Sequence, residues 1–228
     1  MNDSARLVVI LGPTASGKSA LGIRLAEELG GEILACDSTQ VYRHFDIGTA
    51  KVPPAEQRGI PHHLVDLVEP DEIFTAGDYR RQAIDVLDSL RRRTRLPILT
   101  AGTGLYLRAL LEGLADAPTR SDELRERLRK KARHTAPEYL HRLLARMDPE
   151  TAARIAPRDT QKIIRALEIR VLARKPVGQI HRSGRAGLQG YRVVKIGLLP
   201  PRAALYARIN ARVQDMIESG WLDEVRKL

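Results

Sequence analysis

The chain is poor in sulfur, in aromatic residues and in long apolar runs, and each shortage removes a class of protein. A single cysteine, Cys36, excludes an internal disulfide and a multi-cysteine metal site, and predicts a small buried apolar side chain under reducing conditions. No stretch approaches the roughly 18 apolar residues of a membrane span. The opening Met1-Asn2-Asp3-Ser4 has neither the basic nor the apolar region of a signal peptide, so the expectation is a cytoplasmic protein with no membrane partner. With aromatics at only 4%, Tyr42, Phe74, Tyr79 and Tyr106 are read as core or pocket wall and not as stacking platforms for bases. His62 and His63 have no third ligand at metal-binding spacing and are read as structural.

An acidic excess is missing too. The net charge is +10 and it is local: residues 120–185 hold 18 Lys and Arg against 8 Asp and Glu, which leaves 20 of each elsewhere. A positive excess confined to one segment is the footprint expected for a polyanion, because neutralised phosphates release counterions. The competing reading is a solvated helical surface.

What is present is a phosphate-binding loop. Residues 12–19 read GPTASGKS, behind the uniformly apolar run of residues 7–11 and ahead of a helical pattern over residues 20–29 that stops at Gly30-Gly31. Strand, glycine loop and helix is the setting the spacing requires. The backbone of Gly12, Pro13, Thr14, Ala15, Ser16 and Gly17 wraps phosphate oxygens at a helix N-terminus, Lys18 adds a point charge, and the Ser19 hydroxyl can ligate magnesium.

A second strand at residues 32–36 ends in Asp37-Ser38-Thr39-Gln40, and ligands of open α/β sheets sit outside such strand ends. Residues 43–72 read as irregular, with a short strand around residues 62–66. A helix is expected over residues 79–93, with Arg91-Arg92-Arg93 favoured by its C-terminal dipole, then a third strand at residues 96–100. Nucleotide hydrolases of this fold place a second acidic residue at such a strand end. Here Thr100-Ala101-Gly102 has none, so Asp37 is the acid nearest the loop, and two roles stay open for it: magnesium ligand or general base.

From residue 121 the pattern is helical only, over residues 122–132, 137–147 and 159–173, with Ser121 and Asp159 as N-caps, a loose exit at residues 184–187, a returning strand over 191–199 and a Pro201-led helix. The fold predicted is α/β: a P-loop NTPase-like parallel sheet flanked by helices (residues 1–120 and 190–228), interrupted by a basic all-helical insertion (residues 121–189). The ending at residues 221–228 reads as mid-helix, with a further C-terminal part expected.

GPTASGKS, DSTQVY, Gly48-Thr49-Ala50-Lys51, Pro61-His62-His63-Leu64-Val65-Asp66, AGTGLYL, Arg165-Ala166-Leu167-Glu168 and Arg208-Ile209-Asn210-Ala211-Arg212 together resemble the successive blocks of the bacterial tRNA dimethylallyltransferases. The order and spacing match across essentially the whole chain, with Ala101 where the family usually has glycine. The resemblance implies transfer of a dimethylallyl group from dimethylallyl diphosphate, assisted by Mg²⁺, to the N6 amine of the adenosine 3′ of a tRNA anticodon. By the same resemblance the loop residues Gly12 to Ser19 and Arg212 hold the diphosphate, Ser19 carries the magnesium, Asp37 is the general base and Thr103 approaches the target base. Ser38, Thr39, Gln40, Arg125, Gln161, Lys162, Ile163, Ile164 and Arg165 fall in segments that contact tRNA, and the insertion would clasp the anticodon stem and loop. A monomer is expected. The competing readings are a small-molecule kinase, a prenyltransferase acting on free adenosine nucleotides, and a non-enzymatic RNA-binding nucleotide switch; the first two have no use for a basic helical insertion.

Overall fold

The computed structural model describes residues 4–136, 138–182 and 186–228. Pro137, Gly184 and Arg185, which the sequence reading used to mark a helix start and an exit loop, lie outside them. Five parallel strands form one sheet: β1 (Ala5–Leu11), β2 (Gly31–Cys36), β3 (His62–His63), β4 (Leu96–Ala101) and β5 (Tyr191–Gly197), in the order β3-β2-β4-β1-β5. Four successive residues of β1 and all six of β2 are buried, as parallel strands covered on both faces should be. The strand foreseen around residues 62–66 stops at His63, because Leu64 (φ 66°) and Asp66 (φ 54°) are left-handed and cannot extend a ladder.

Helix α1 (Lys18–Leu29) follows the glycine loop, and Gly17 stands at its N-cap with φ 94°. Helix α2 (Ala76–Arg92) begins earlier than residue 79, because Thr75 and Asp78 form a reciprocal capping box, and it buries Tyr79, Ala83, Leu87 and Leu90 against the sheet. Tyr79 stacks on Tyr106 of α3 (Gly104–Glu112) with ring centroids 4.6 Å apart and donates its hydroxyl to the Ala35 carbonyl, so both aromatics belong to the core. His63 Nε2 lies 2.7 Å from buried Glu32, which also accepts from Arg93, and His62 Nδ1 lies 2.8 Å from the Ile60 carbonyl oxygen. His63 is thereby tied to the buried Glu32, while His62 also lines a cavity at the carboxyl edge of the sheet.

The chain divides into two compact units, Met1–Glu112 with Gly187–Leu228, and Gly113–Ala186. The junctions fall before those expected at residues 120 and 189. Ala115 and Ala117 pack into the core of the second unit, while Leu188 packs into that of the first.

The second unit is helical: α4 (Asp122–Arg133), α5 (Tyr139–Met147), α6 (Pro149–Ala152), α7 (Thr160–Ala173) and α8 (Val177–Arg182). Ser121 and Asp159 cap α4 and α7 by accepting the Leu124 and Lys162 N–H groups. In the first unit the chain ends in α9 (Arg202–Glu218) and α10 (Trp221–Arg226). Among the described residues no helix is long and apolar enough to cross a membrane.

Candidate active site

Sheet register assembles the site. Leu11 and Cys36 both pair with Ala101, so the last residues of β1, β4 and β2 stand level. Gly12, Gly102 and Asp37 therefore emerge side by side at the carboxyl edge, where the chain has passed from β1 to β2 and left the place between them for β4. Gly102 and Thr103 donate their N–H groups to the Cys36 carbonyl at 2.9 and 2.8 Å, tying the two loops together.

Two adjoining cavities of about 530 Å³ each open at this edge, and both are lined by Ser19, Gln40, Ala50, Thr100 and Arg212. One is a polar chamber at the glycine loop, where the sequence reading expects phosphate, lined by all of residues 12–20 with Asp37, Thr49 and Gly102. The other is mostly apolar, walled by Ile33, Ala35, Ile47, Val52, Pro53, Pro54, Val65 and Met216. Lys18 Nζ donates to the carbonyls of Gly12 (2.9 Å) and Pro13 (2.8 Å). Burial pulls the Lys18 ammonium below its ordinary value, Asp37 opposes that, and Arg212 adds to it. The Ser16 hydroxyl is buried with no hydrogen-bond partner among the described residues. An anionic oxygen entering the loop would supply one.

Asp37 is fixed from two sides. Its Oδ1 accepts the Thr39 N–H (2.9 Å) and hydroxyl (2.7 Å), a local Asx turn. Its Oδ2 presses on Gly102 so closely that a Cβ there would overlap it. This gives the AGTG turn a need for glycine that the sequence reading missed. Replacing Gly102 by Ala is expected to turn the carboxylate aside and cut kcat about a hundredfold, since a displacement of about 1 Å at a reacting group has that cost. Only a flexible side chain must move, so the melting temperature should change little. A melting loss large enough to explain the activity loss would refute the steric argument.

Several expected tRNA contacts need correction. Ile163 and Ile164 are 2% and 5% exposed and belong to the helical core, so their side chains do not face a ligand. Arg125 is committed to buried Glu168 by Nε at 2.9 Å and Nη2 at 2.8 Å; Arg165 donates to Glu168 at 2.6 Å and to the Pro118 carbonyl at 3.2 Å. Only Gln161 and Lys162, at the exposed start of α7, remain free of that core. In the sheet unit the Thr103 hydroxyl accepts the Ser38 N–H at 2.9 Å and donates to Ser38 Oγ at 3.1 Å, so it shapes the Asp37-Ser38-Thr39 turn. The Gln40 amide is turned inward to the Thr49 and Ala50 carbonyls.

A phosphate loop on a parallel sheet, with a strand-end acid beside it and an apolar chamber adjoining, defines a group-transfer site. The IPP transferase family model matches residues 40–228, more than half of the chain. The tRNA dimethylallyltransferase of Koribacter versatilis is 52% identical over 222 residues, 97% of this chain and 72% of its own, and that of Geobacter metallireducens is 46% identical over 226 residues, 99% and 73%. Among solved structures, the full-length tRNA isopentenylpyrophosphate transferase of Bacillus halodurans superposes with a TM-score of 0.65 at 39% identity, covering 98% of this chain and 69% of that one. A eukaryotic dimethylallyltransferase acting on tRNA reaches a TM-score of 0.84 at 29% identity, covering 98% and 56%. The chain belongs to the IPP transferase family. The family model starts at Gln40, but these relatives extend over nearly all of this chain, so the glycine loop and Asp37 come within the similarity.

Proposed function

We propose that this protein transfers a dimethylallyl group from dimethylallyl diphosphate to the exocyclic N6 amine of the adenosine 3′ of the anticodon in certain tRNAs, releasing diphosphate. The observation that carries the reading is the Asp37 carboxylate, held at the rim of a phosphate chamber that adjoins an apolar one. The diphosphate of a short branched allylic donor suits the glycine-loop chamber, and its hydrocarbon suits the apolar part of the second.

The chemistry follows from the placement. An adenine amine is a weak nucleophile because its lone pair is delocalised into the ring. Asp37, with Oδ1 occupied by Thr39, offers Oδ2 to the amine and takes its proton as nitrogen attacks the donor carbon. The carbon–oxygen bond to the diphosphate breaks, and the loop N–H groups, Lys18 and Arg212 stabilise the departing charge. Among the described residues no three His, Cys, Asp or Glu side chains cluster to hold a metal. Ser19, which faces both chambers, would hold a magnesium ion beside the diphosphate. Bound there, magnesium would add positive charge to the leaving group. On the RNA side, a base inside a stacked loop is out of reach and has to be extruded to meet Asp37. Ser38 and Thr39 beside Asp37, and Gln161 and Lys162 on the helical unit, are the exposed or half-exposed groups for that contact.

A ligand that binds only the folded state raises its melting temperature, by about 2.7 kcal/mol of added stability at a hundred times Kd. Dimethylallyl diphosphate with magnesium is expected to give that shift in a thermal melt and ATP to give none. Protection by ATP alone would move the reading to a kinase.

A further inference from the structure

Helix α9 supplies Arg212, Asp215 and Met216 to the cavity lining, and the chain then turns through Ser219 and Gly220 (φ 93°) into α10, which folds back on the loop of residues 46–51. There Glu224 Oε2 accepts the backbone N–H groups of Asp46 (2.8 Å) and Ile47 (2.7 Å), and Oε1 accepts that of Gly48 (3.0 Å). Successive N–H groups converging on one carboxylate form a concave anion seat. Burial alone would push the Glu224 carboxyl up, but the Gly48, Ile47 and Asp46 N–H groups outweigh it and hold the group below the usual carboxylate range. Trp221 lies so close on Gly48 that a Cβ there would overlap the indole Nε1.

The loop gripped in this way walls both chambers. Asp46, Ile47, Ala50 and Lys51 line the apolar one, while Thr49 and Ala50 line the phosphate one. Its other polar groups are held from within. Gln40 donates to the Thr49 and Ala50 carbonyls, and Lys51, with a side chain only 9% exposed, reaches Asp46 at 2.7 Å and Asp66 at 2.5 Å. Glu224 and Trp221 thus close the outer side of a wall whose inner side is already tied.

We propose that Glu224, with Trp221 behind it, is a positioning residue for the diphosphate donor: it fixes the loop of residues 46–51 in the shape that completes both chambers, without touching the donor. The inference rests on the donor reading above. In Glu224→Ala the KM for dimethylallyl diphosphate is expected to rise at least about tenfold, the scale of losing hydrogen bonds to a charged group, with kcat and the KM for an anticodon stem-loop within about twofold. Glu224→Gln keeps the size and one acceptor oxygen and should fall between. Gly48→Ala approaches the same contact from the opposite face and should reproduce the rise with the carboxylate intact. Trp221 is the single tryptophan of the chain, so its fluorescence should change as dimethylallyl diphosphate is titrated in, at higher midpoints for each variant.

The two readings fail separately. Wild-type protein that does not bind dimethylallyl diphosphate would overturn the donor assignment. Wild-type binding with an unchanged KM in Glu224→Gln and Gly48→Ala, or a loss of kcat and melting temperature with KM unmoved, would overturn the positioning role.

Discussion

Replacing Asp37 by Ala should lower turnover by about a hundred to ten-thousandfold, the range a general base contributes, while leaving donor and RNA binding close to wild type. Asn is the more exacting substitution. It keeps the Oδ1 acceptor for Thr39, so the turn survives and only the capacity to take a proton is lost. Single-turnover prenylation of an anticodon stem-loop at saturating donor reads the chemical step directly. The alternative role, magnesium ligation, makes a different forecast: the variant would regain activity as magnesium is raised. Such rescue, or turnover retained in Asp37→Asn, would remove Asp37 as the base.

The same residue shows how far the sequence could be read. GPTASGKS could be placed because each position has a local reason, and the structure sets it between β1 and α1 as strand, loop and helix required. Asp37 could be named as the strand-end acid, but its distance from the loop could not, because that depends on β4 lying between β1 and β2. Strand order is a non-local property, and no periodicity within β1, β2 or β4 encodes it. Gly102 reads in sequence as one more turn glycine, and only the approach of Asp37 Oδ2 gives it a steric role. Glu224 has no sequence feature that marks it. Its seat is made of backbone N–H groups from residues 46–48, which carry no side-chain signature.

Local charge misled in the opposite direction. The excess in residues 120–185 reads as a footprint for a polyanion, yet a buried acid, Glu168, claims both arginines named as RNA contacts, Arg125 and Arg165. Burial periodicity should have warned of this: Ile163, Ile164, Leu167 and Glu168 fall on one side of α7, and an acid among isoleucines needs partners. The solvent-facing cations are therefore fewer than composition suggested, and Lys162, 73% exposed at the side chain and paired only at the surface with Asp159 (2.6 Å), is a better choice for charge reversal than Arg165.

The largest stability effect is expected at that buried acid. Glu168 is fully buried, and its oxygens accept from the Ser121 N–H (2.7 Å), from Arg125 and from Arg165. Burial alone would raise its carboxyl; the Arg125 hydrogen bonds, the Ser121 N–H and Arg165 together override that and hold it down to about 2, against an ordinary value of 4.5. A shift of that size is worth about 3 kcal/mol of folding stability. Because the folded-state value is depressed, this stability is fully present above about pH 4.5 and is lost as the pH falls toward about 2. Glu168→Ala should therefore destabilise the helical unit by about 3–5 kcal/mol at neutral pH, since it also strands the buried part of the Arg125 guanidinium. Glu168→Gln keeps the Ser121 contact and should cost less. Denaturant melts followed by helical circular dichroism at pH 7 and pH 3 test the assignment: the gap between wild type and Glu168→Gln should narrow at the lower pH, and a gap that stays constant would mean that packing, not charge, holds α4 to α7.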